Sequence, residues 1–253
     1  MRTPWPPDFP NVVVHTTVAE RDAHPGYAQA KAGDADAAFE LAFDLLNDAA
    51  VDHLRQVLAE AEPLLLPVVA DETLGFNAIP DAMAQILARD LDLSVVENGA
   101  IIQTNKVGHT RAKAFQRLVT PAFFEGYVEP GANYFLIDDH VGLGGTLANL
   151  RGYVEVNDGR VIGMTALTES RDGRVISLRP ESLDMLWNRH GEALNQLWQD
   201  QFGYGLGCLT EVEAQILCRQ PSVDAIQNFL AQAAVEARGR GLEAAIGGEI
   251  EAG

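Results

Sequence analysis

Two adjacent carboxylates and a glycine-rich turn stand together in the segment from Tyr134 to Thr146, which reads YFLIDDHVGLGGT. The apolar first half of the segment predicts a buried strand that ends at Asp138 and Asp139. Open α/β sheets bind their ligands at the carboxyl ends of the strands, where these acids would lie. Backbone N–H groups of the turn, residues 142–146, can surround an anion, and the helix that follows points its positive end there. The segment therefore predicts a ligand with both hydroxyl groups and a phosphate, such as a sugar phosphate.

Two other phosphate-binding motifs do not fit this spacing. A P-loop requires a lysine before its Ser or Thr, and the turn contains no lysine. A dinucleotide fingerprint requires glycine where Leu147 stands, and Asp138 and Asp139 would repel a pyrophosphate at the turn. An ordinary strand–turn–helix with two solvated aspartates remains an alternative. We interpret His140, beside the acids, as a residue that orients the turn rather than as a general base.

A basic segment stands out from the rest of the chain. No Asp or Glu occurs from Asn98 to Phe124, although the chain has 36 acidic residues. Four of the 18 Lys and Arg residues fall within twelve of these positions, 106–117. The basic side chains and the histidine of the segment are Lys106, His109, Arg111, Lys113 and Arg117. Such a cluster can neutralise an anionic ligand or leaving group. The alternative is a basic patch that packs on the protein's own acidic surface.

The chain as a whole is acidic, with 253 residues and a formal charge of −18. Because so negative a surface repels phosphate backbones, we expect no general nucleic-acid binding. Hydrophobic residues make up 47% of the chain, which excludes a protein that is disordered throughout. No apolar run is long enough to span a bilayer, so no membrane partner is expected. Residues 1–7 lack the apolar run of a secretion signal, which favours a cytoplasmic protein.

Apolar runs alternate with helical patterns along the middle of the chain. The predicted strands lie at 64–70, within 94–103, at 134–137 and at 161–167. Continuous apolar runs are typical of parallel strands that are buried on both faces. A loop at 71–77 and a helix near Pro80 follow the first strand. We therefore predict an α/β fold, with a parallel central sheet flanked by helices and with helical additions at both ends.

Four segments are predicted along the chain. They are an N-terminal arm with helices at 1–60, an α/β core at 61–179, C-terminal helices packed on that core at 180–238, and a mobile tail at 239–253. The helical periodicity of 35–60 allows either one long helix or two. In the third segment, an apolar stripe from Leu183 to Trp198 includes Trp187, and we expect it to pack on the sheet domain.

The segment with the acids and the glycine turn resembles the phosphoribosyl-pyrophosphate (PRPP) signature of the type I phosphoribosyltransferases. The resemblance implies that Asp138 and Asp139 hold the ribose 2- and 3-hydroxyls and that 142–146 holds the 5-phosphate. One departure is Leu143, because the family usually has a hydroxyl-bearing residue at this position. The lost contact would weaken PRPP binding by roughly 1–2 kcal/mol.

The resemblance extends over about residues 60–170. The loop at 71–77 is similar in its place to the pyrophosphate-binding loop of the family. Residues 104–130 are similar in place and length to the mobile loop that covers the family's active site. These two matches rest on position, whereas the signature itself is specific.

The resemblance also implies a set of functional residues and a metal ion. The implied catalytic residues are Asp138, Asp139, Lys106 and Arg111. The implied substrate-binding residues are Gly142, Leu143, Gly144, Gly145, Thr146, Thr73, Leu74, Gly75, His109 and Lys113. Mg²⁺ is the implied cofactor, held by the ligand together with Asp138 and Asp139.

These features together predict a Mg²⁺-dependent phosphoribosyltransferase. We expect it to transfer the 5-phosphoribosyl group of PRPP to a nitrogen nucleophile, a nucleobase, with release of pyrophosphate. A non-catalytic sensor of PRPP or nucleotides on the same fold is an alternative. A further alternative is an interaction protein whose C-terminal helices bind a partner. Dimers are common in the family, so a homodimer is also expected.

Overall fold

The computed structural model describes residues 2–72, 75–97, 100–107, 113–242 and 244–245. Its strands are β1 (Val13–Val14), β2 (Leu64–Pro67), β3 (Asp71–Glu72), β4 (Gly75–Phe76), β5 (Ile101–Gln103), β6 (Phe124–Gly126), β7 (Asn133–Val141) and β8 (Arg160–Glu169). Its α-helices are α1 (Val18–Ala23), α2 (Tyr27–Lys31), α3 (Ala35–Leu45), α4 (Asp48–Leu58), α5 (Ile79–Leu91), α6 (Ala114–Val119), α7 (Gly145–Val156), α8 (Pro180–Phe202), α9 (Glu211–Cys218) and α10 (Val223–Gly239). A 3₁₀ turn spans Leu206–Cys208.

Four parallel strands form the central sheet, in the order β1–β8–β7–β2. β7 lies between β2 and β8, so that Leu66 pairs with Leu136 on one side and Asp138 pairs with Ala166 on the other. Helices cover both faces of the sheet. The predicted α/β fold with a parallel central sheet flanked by helices is therefore confirmed.

Successive side chains of β7 enter two different apolar layers. Phe135 and Ile137 pack in the layer that contains residues of α3, α4 and α5. Leu136 packs in the other layer, together with Leu147 and Leu150 of α7. Side chains alternate between the faces of a strand, so β7 must be apolar at every position to be buried on both. This is the physical reason for the continuous apolar run before the two acids.

The N-terminal region contributes to the sheet as well as to the helical layer. Val13 and Val14 of β1 pair in parallel with Thr165 and Ala166 of β8, which makes β1 an edge strand. The periodic stretch 35–60 forms two helices, α3 and α4. Asn47 separates them, because its side chain accepts a hydrogen bond from the first turn of α4 and so caps that helix.

The strand predicted within 94–103 does not join the central sheet as predicted. β5 pairs antiparallel with β6 in a separate two-stranded sheet. Among the described residues, isolated parallel bridges connect this region to β2 and its extension, between Leu65 and Val95 and between Ala70 and Gln103. Ile102 in the middle of β5 is 40% exposed. Its neighbours Ile101 and Gln103 are both buried. This alternation of buried and exposed side chains is typical of an antiparallel strand with one solvated face, and the short apolar run in the sequence did not predict it.

The C-terminal helices pack mainly on one another and on α6. Leu186, Leu194 and Trp198 of α8 are fully buried in a third apolar cluster, which also includes Leu118 of α6. Trp187 is 39% exposed, and Trp198 packs in this third cluster, whose described members include no residue of the central sheet. The expected packing of the stripe on the sheet domain is therefore wrong for Trp187, and Trp198 is buried among the C-terminal helices and α6 instead. An unbroken helix would place residues 187 and 198 on nearly the same face. The non-helical Gly191, with φ 56° and ψ −155°, interrupts α8 between them and removes that alignment.

Part of the predicted mobile tail is held against this third cluster. Leu242 and Ala244 pack on it, and the N–H of Ala245 donates to the carbonyl oxygen of Val119 at 2.7 Å. Residues 243 and 246–253 of that segment lie outside the described residues. Across the helices that the structure describes, none has the length and apolar character that crossing a bilayer requires.

The third cluster predicts different costs for truncating the two tryptophans of α8. Trp198→Ala removes a fully buried indole and should lower the free energy of unfolding by about 3–5 kcal/mol. Trp187→Ala in the same helix should cost about 1 kcal/mol or less, because much of this side chain already contacts solvent. Urea unfolding at neutral pH measures both values, and equal costs would contradict this description of α8.

Candidate active site

A cavity of about 540 Å³ opens at the carboxyl ends of β2 and β7. Three parts of the chain line it: the N-terminal helices, the strand ends with their following segments, and the C-terminal third. The lining residues are Arg21, Tyr27, Lys31, Val68, Ala70, Asn77, Gln103, Lys106, Val107, Arg117, the run 138–147, Glu213 and Arg240. Charged side chains from distant parts of the sequence therefore meet in one space.

The glycine turn, residues 142–146, joins the end of β7 to the first turn of α7. Gly144 has a φ of +79°, and a Cβ there would lie 3.1 Å from both Ile176 and Thr210. This position therefore favours glycine on two grounds, the backbone conformation and the close packing. Among the described residues, no side chain caps the N-terminus of α7. The first N–H groups of α7 are thus available to an anion in the cavity.

The two acids at the end of β7 are both buried, and they do not ionise alike. The N–H of Asp139 donates to Asp138 Oδ1 at 2.8 Å. Burial, followed by repulsion from Asp139, raises the pKa of Asp138 well above its ordinary range. Burial alone would also raise the pKa of Asp139, but the nearby ammonium group of Lys31 outweighs burial and lowers that pKa. Asp139 is therefore the carboxylate that ionises first, and Asp138 keeps its proton to higher pH than an ordinary aspartate.

Lys31 at the end of α2 supplies the counter-charge to this pair. Its Nζ lies 2.8 Å from Asp139 Oδ2, and the two side chains are 21% and 9% exposed. Neighbouring Ala30 is fully buried, and its carbonyl accepts a hydrogen bond from the N–H of Ala78 at 3.3 Å, just before α5. These contacts hold the end of α2 against the sheet domain. No sequence pattern marked Lys31, because it stands 108 positions from its partner.

Arg21, Tyr27 and His140 form the part of the wall nearest to β8. Arg21 Nη1 donates to Thr168 Oγ1 at 3.0 Å, and its guanidinium lies 4.6 Å from the centroid of the Tyr27 ring. His140 Nδ1 lies 2.9 Å from the same hydroxyl, and its Nε2 lies 3.2 Å from Ser170 Oγ. Burial lowers the pKa of His140, so the imidazole is neutral near pH 7. A neutral ring held at both nitrogens suits the orienting role that we assign to His140.

A buried ion pair closes the opposite side of the glycine turn. Arg2 Nη1 lies 2.5 Å from Glu213 Oε2. Burial would lower the pKa of Arg2, but the carboxylate of Glu213 outweighs burial and raises it. A Cβ at Gly145 would lie 3.1 Å from Glu213 Oε1 and 3.2 Å from Arg2 Nη2, so the pair touches the turn. Thr210 fixes the turn as well, because its Oγ1 donates to the Leu143 carbonyl at 2.5 Å.

The structure brings most of the predicted site residues together. The predicted residues that line the cavity are Asp138, Asp139, Gly142, Leu143, Gly144, Gly145, Thr146 and Lys106. Lys113 lies exposed immediately before α6 and is not part of the lining. Gly75 lies in β4, which forms a hairpin with β3 after β2. The predicted residues Thr73, Leu74, His109 and Arg111 lie outside the described residues.

Several lining residues had no counterpart among the predicted ones. They are Arg21, Tyr27, Lys31, Arg117 and Glu213, with the uncharged Asn77 and Gln103. Of these, Arg117 belongs to the basic segment that the charge pattern marked, although the resemblance did not place it among the implied site residues. Arg21, Tyr27, Lys31 and Glu213 come from helices with ordinary amphipathic patterns, whereas Gln103 ends β5 and Asn77 precedes α5. No sequence pattern marks these residues, so folding alone brings them to the cavity.

Comparisons with known proteins place the chain beside two bacterial relatives, and no family model matches it. It is 39% identical to protein TraN of Escherichia coli over 239 residues, which are 94% of this chain and 53% of that protein. It is 37% identical to an uncharacterised protein of Haemophilus influenzae over 154 residues, which are 61% of this chain and 34% of that protein. The chain thus spans about half the length of the first of these curated relatives and about a third of the second.

Solved structures similar to this one include phosphoribosyltransferases. One adenine phosphoribosyltransferase has 17% identity and a TM-score of 0.35, over 53% of this chain and 70% of that one. The adenine phosphoribosyltransferase of Saccharomyces cerevisiae, complexed with an imino-altritol bisphosphate and adenine, has 16% identity and a TM-score of 0.33, over 58% and 71%. The UMP synthase of Leishmania donovani has 14% identity and a TM-score of 0.28, over 74% and 36%.

The unequal ionisation of the acid pair predicts opposite effects of two amide substitutions on stability. Asp139→Asn leaves Lys31 without its carboxylate and should lower the free energy of unfolding at pH 7 by about 1–2 kcal/mol. Asp138→Asn removes a carboxyl that is costly to ionise when buried, and it still offers an oxygen to the N–H of Asp139. We expect its stability at pH 7 to equal or exceed that of the wild type.

The pH dependence of the free energy of unfolding tests whether the pKa of Asp138 is raised in the folded protein. A carboxyl whose pKa is higher in the folded than in the unfolded protein favours folding below its unfolded pKa, near pH 4. That contribution is lost as the pH rises from there through the folded pKa. The stability advantage of Asp138→Asn over wild type should therefore be larger at pH 7 than at pH 4, as measured by urea unfolding. An advantage that shrinks as the pH rises would contradict the assigned ionisation.

Proposed function

We propose that this protein binds PRPP in the cavity and transfers its phosphoribosyl group to a nitrogen nucleophile, with release of pyrophosphate. One observation carries the proposal. The buried pair Asp138 and Asp139 lies directly before the glycine turn and the N-terminus of α7, which no described side chain caps. Carboxylates accept hydrogen bonds from vicinal hydroxyls, and a helix N-terminus attracts phosphate. A ribose 5-phosphate presents both groups on one small molecule.

The charges of the cavity support a strongly anionic ligand. Lys31, Lys106, Arg117 and Arg240 line it together with Arg21, although the whole chain carries a formal charge of −18. A cationic cleft on an acidic protein concentrates anions locally while the remaining surface repels them. PRPP carries a phosphate at one end of the ribose and a pyrophosphate at the other, so it can use cations on several walls at once.

In the proposed reaction, a nitrogen lone pair forms a bond to C1 of the ribose while the bond between C1 and the pyrophosphate oxygen breaks. Pyrophosphate leaves with the electron pair of that bond, and a proton on the attacking nitrogen is released to solvent. Positive charge develops on the ribose ring during the transfer. The ionised Asp139 is suited to stabilise this charge and to orient the ring hydroxyls, while the turn holds the phosphate in place.

Mg²⁺ is part of the proposal as the companion of pyrophosphate. Across the described residues, no group of three or more His, Cys, Asp or Glu side chains is placed to hold a metal ion. Mg²⁺ commonly binds through one or two carboxylates together with substrate phosphates and water. Asp138 and Asp139 would hold the ion together with phosphate oxygens of the ligand, and the ion would supply positive charge to neutralise pyrophosphate.

Calorimetric titration with PRPP and Mg²⁺ tests this proposal. Wild-type protein should bind, and Asp138→Asn and Asp139→Asn should each weaken binding at least tenfold, because each variant lacks one carboxyl group of the pair that would contact the ribose hydroxyls. Asp158→Asn is the matched control, since Asp158 is exposed just before β8 at the opposite end of the sheet. Its φ of +66° is one that asparagine tolerates. Wild-type affinity is expected for Asp158→Asn.

The titration contradicts the proposal if wild type does not bind PRPP, or if both site variants bind it as wild type does. Release of pyrophosphate in the presence of a nitrogen acceptor distinguishes the enzyme from a PRPP sensor. We expect release that depends on Mg²⁺ and on Asp139. Binding without release from any acceptor would favour the sensor.

A further inference from the structure

An acidic side chain lies beside the glycine turn, on the wall that the C-terminal third contributes. Glu213 of α9 lines the cavity, and its Oε1 would lie 3.1 Å from a Cβ at Gly145, the first residue of α7. Gly145 belongs to the turn at which the proposed 5-phosphate binds. A carboxylate so close would repel a phosphate, because charges inside a cleft are screened less than charges at the surface. A phosphate site at this turn therefore requires that the charge of Glu213 is compensated.

Arg2 supplies that compensation. Its Nη1 and Nη2 donate to Oε2 and Oε1 of Glu213 at 2.5 and 2.9 Å, and its Nε donates to Asn149 Oδ1 at 2.7 Å. The two charged side chains are 5% and 2% exposed. Nη2 of Arg2 would lie 3.2 Å from the same Cβ at Gly145. A ligand at the turn thus meets both members of a bidentate ion pair, rather than a bare carboxylate.

The other polar groups around Glu213 carry no compensating charge. Burial raises the pKa of Tyr204, whose ring lies 5.0 Å from the guanidinium of Arg2, to about 12, so this side chain is neutral near pH 7. Burial also raises the pKa of Cys208, which keeps the thiol protonated. The backbone N–H of Thr210 donates to Glu213 Oε2 at 3.0 Å. The counter-charge itself comes from Arg2, which stands 211 positions from its partner.

The arm that carries Arg2 is fixed to α7 by separate contacts. Arg151 of α7 donates to the carbonyl oxygens of Thr3 and Pro4 at 3.1 and 2.9 Å. Arg151 is 2% exposed, and it is not among the residues that line the cavity. The arm is therefore tied to the same helix whose N-terminus would hold the phosphate. Arg151 offers a way to disturb the arm without touching the turn.

We propose that Arg2 is a positioning residue for the phosphate-binding turn and that it acts through Glu213. By cancelling the charge of Glu213, it lets the N–H groups at the start of α7 attract the 5-phosphate. The inference rests on the proposed function, because that proposal assigns the 5-phosphate to the turn. Leu143 offers no hydroxyl to the phosphate, so binding depends all the more on the charges beside the turn.

Calorimetric titration with ribose 5-phosphate tests this inference, and urea unfolding is measured on the same variants. Arg2→Gln should weaken binding at least tenfold, because Glu213 is left uncompensated. Glu213→Gln should strengthen binding at least threefold, because the positive charge of Arg2 remains. The double variant Arg2→Gln/Glu213→Gln should bind within threefold of wild type. If Arg2→Gln does not fold, Glu213→Gln and the double variant still decide the outcome.

The direction of the change in Glu213→Gln separates this role from a merely structural one. Loss of the buried ion pair lowers the free energy of unfolding, so a structural role predicts weaker binding in Glu213→Gln, whereas charge compensation predicts tighter binding. Weaker binding in Glu213→Gln overturns the inference. A double variant that binds at least tenfold more weakly than wild type also overturns it, since Arg2 would then act on the phosphate directly or only on the fold.

Arg151→Gln is the matched control, because it removes another buried arginine that holds the same arm. It should lower the free energy of unfolding and leave the affinity for ribose 5-phosphate within twofold of wild type. Weakening equal to that in Arg2→Gln overturns the inference, because docking of the arm would then matter rather than the charge of Glu213. PRPP with Mg²⁺ is titrated alongside. If wild type binds neither ligand, the proposed function fails, whereas wild-type binding of PRPP with variants that depart from the expected pattern overturns this inference alone.

Discussion

The repulsion between two buried, adjacent carboxylates is the constraint on which the site depends. β7 must be apolar on both faces to lie in the middle of the sheet, and Asp138 and Asp139 lie within it, close to its carboxyl end at Val141. The protein reduces the cost of this arrangement by keeping one proton on the pair and by bringing the ammonium group of Lys31 to Asp139. Removing one partner of a buried charge pair is far more costly than forming the pair is favourable. The N-terminal helices are thereby part of the site rather than an appendage to it.

The glycine turn is enclosed in a similar way from the other side. Thr210 of the C-terminal third holds the Leu143 carbonyl, and the buried pair of Arg2 and Glu213 packs against Gly145. Thr210 occupies the carbonyl of Leu143, no described side chain caps the start of α7, and the first residues of α7 line the cavity. Residues from both ends of the described chain therefore shape the candidate phosphate site. This explains how one short motif can depend on the fold of the whole molecule.

Charge distribution links these local arrangements to the ligand. The protein is strongly acidic overall, yet arginines and lysines from several helices converge on one cavity. Because the interior of a cleft has a lower effective dielectric than water, each of these charges acts there over a longer range than at the surface. The cations of the N-terminal helices are paired with carboxylates of the protein, whereas Arg117 is not paired with any described carboxylate. Arg21 and Lys31 are therefore held in place by carboxylates of the protein, whereas the guanidinium of Arg117 is available to a ligand.

The sequence alone determined the α/β class, the buried strand that carries the two acids, and the glycine turn before α7; the strand itself continues past the acids to Val141. These features are local. A strand that is buried on both faces requires a continuous apolar run, and a tight turn directly after such a strand requires glycines at short spacing. Tertiary structure alone decided that β5 leaves the central sheet, that α8 breaks at Gly191 and exposes Trp187, and that Lys31 and Glu213 reach the site. Contacts between residues more than a hundred positions apart depend on how layers pack, and neither spacing nor periodicity records them.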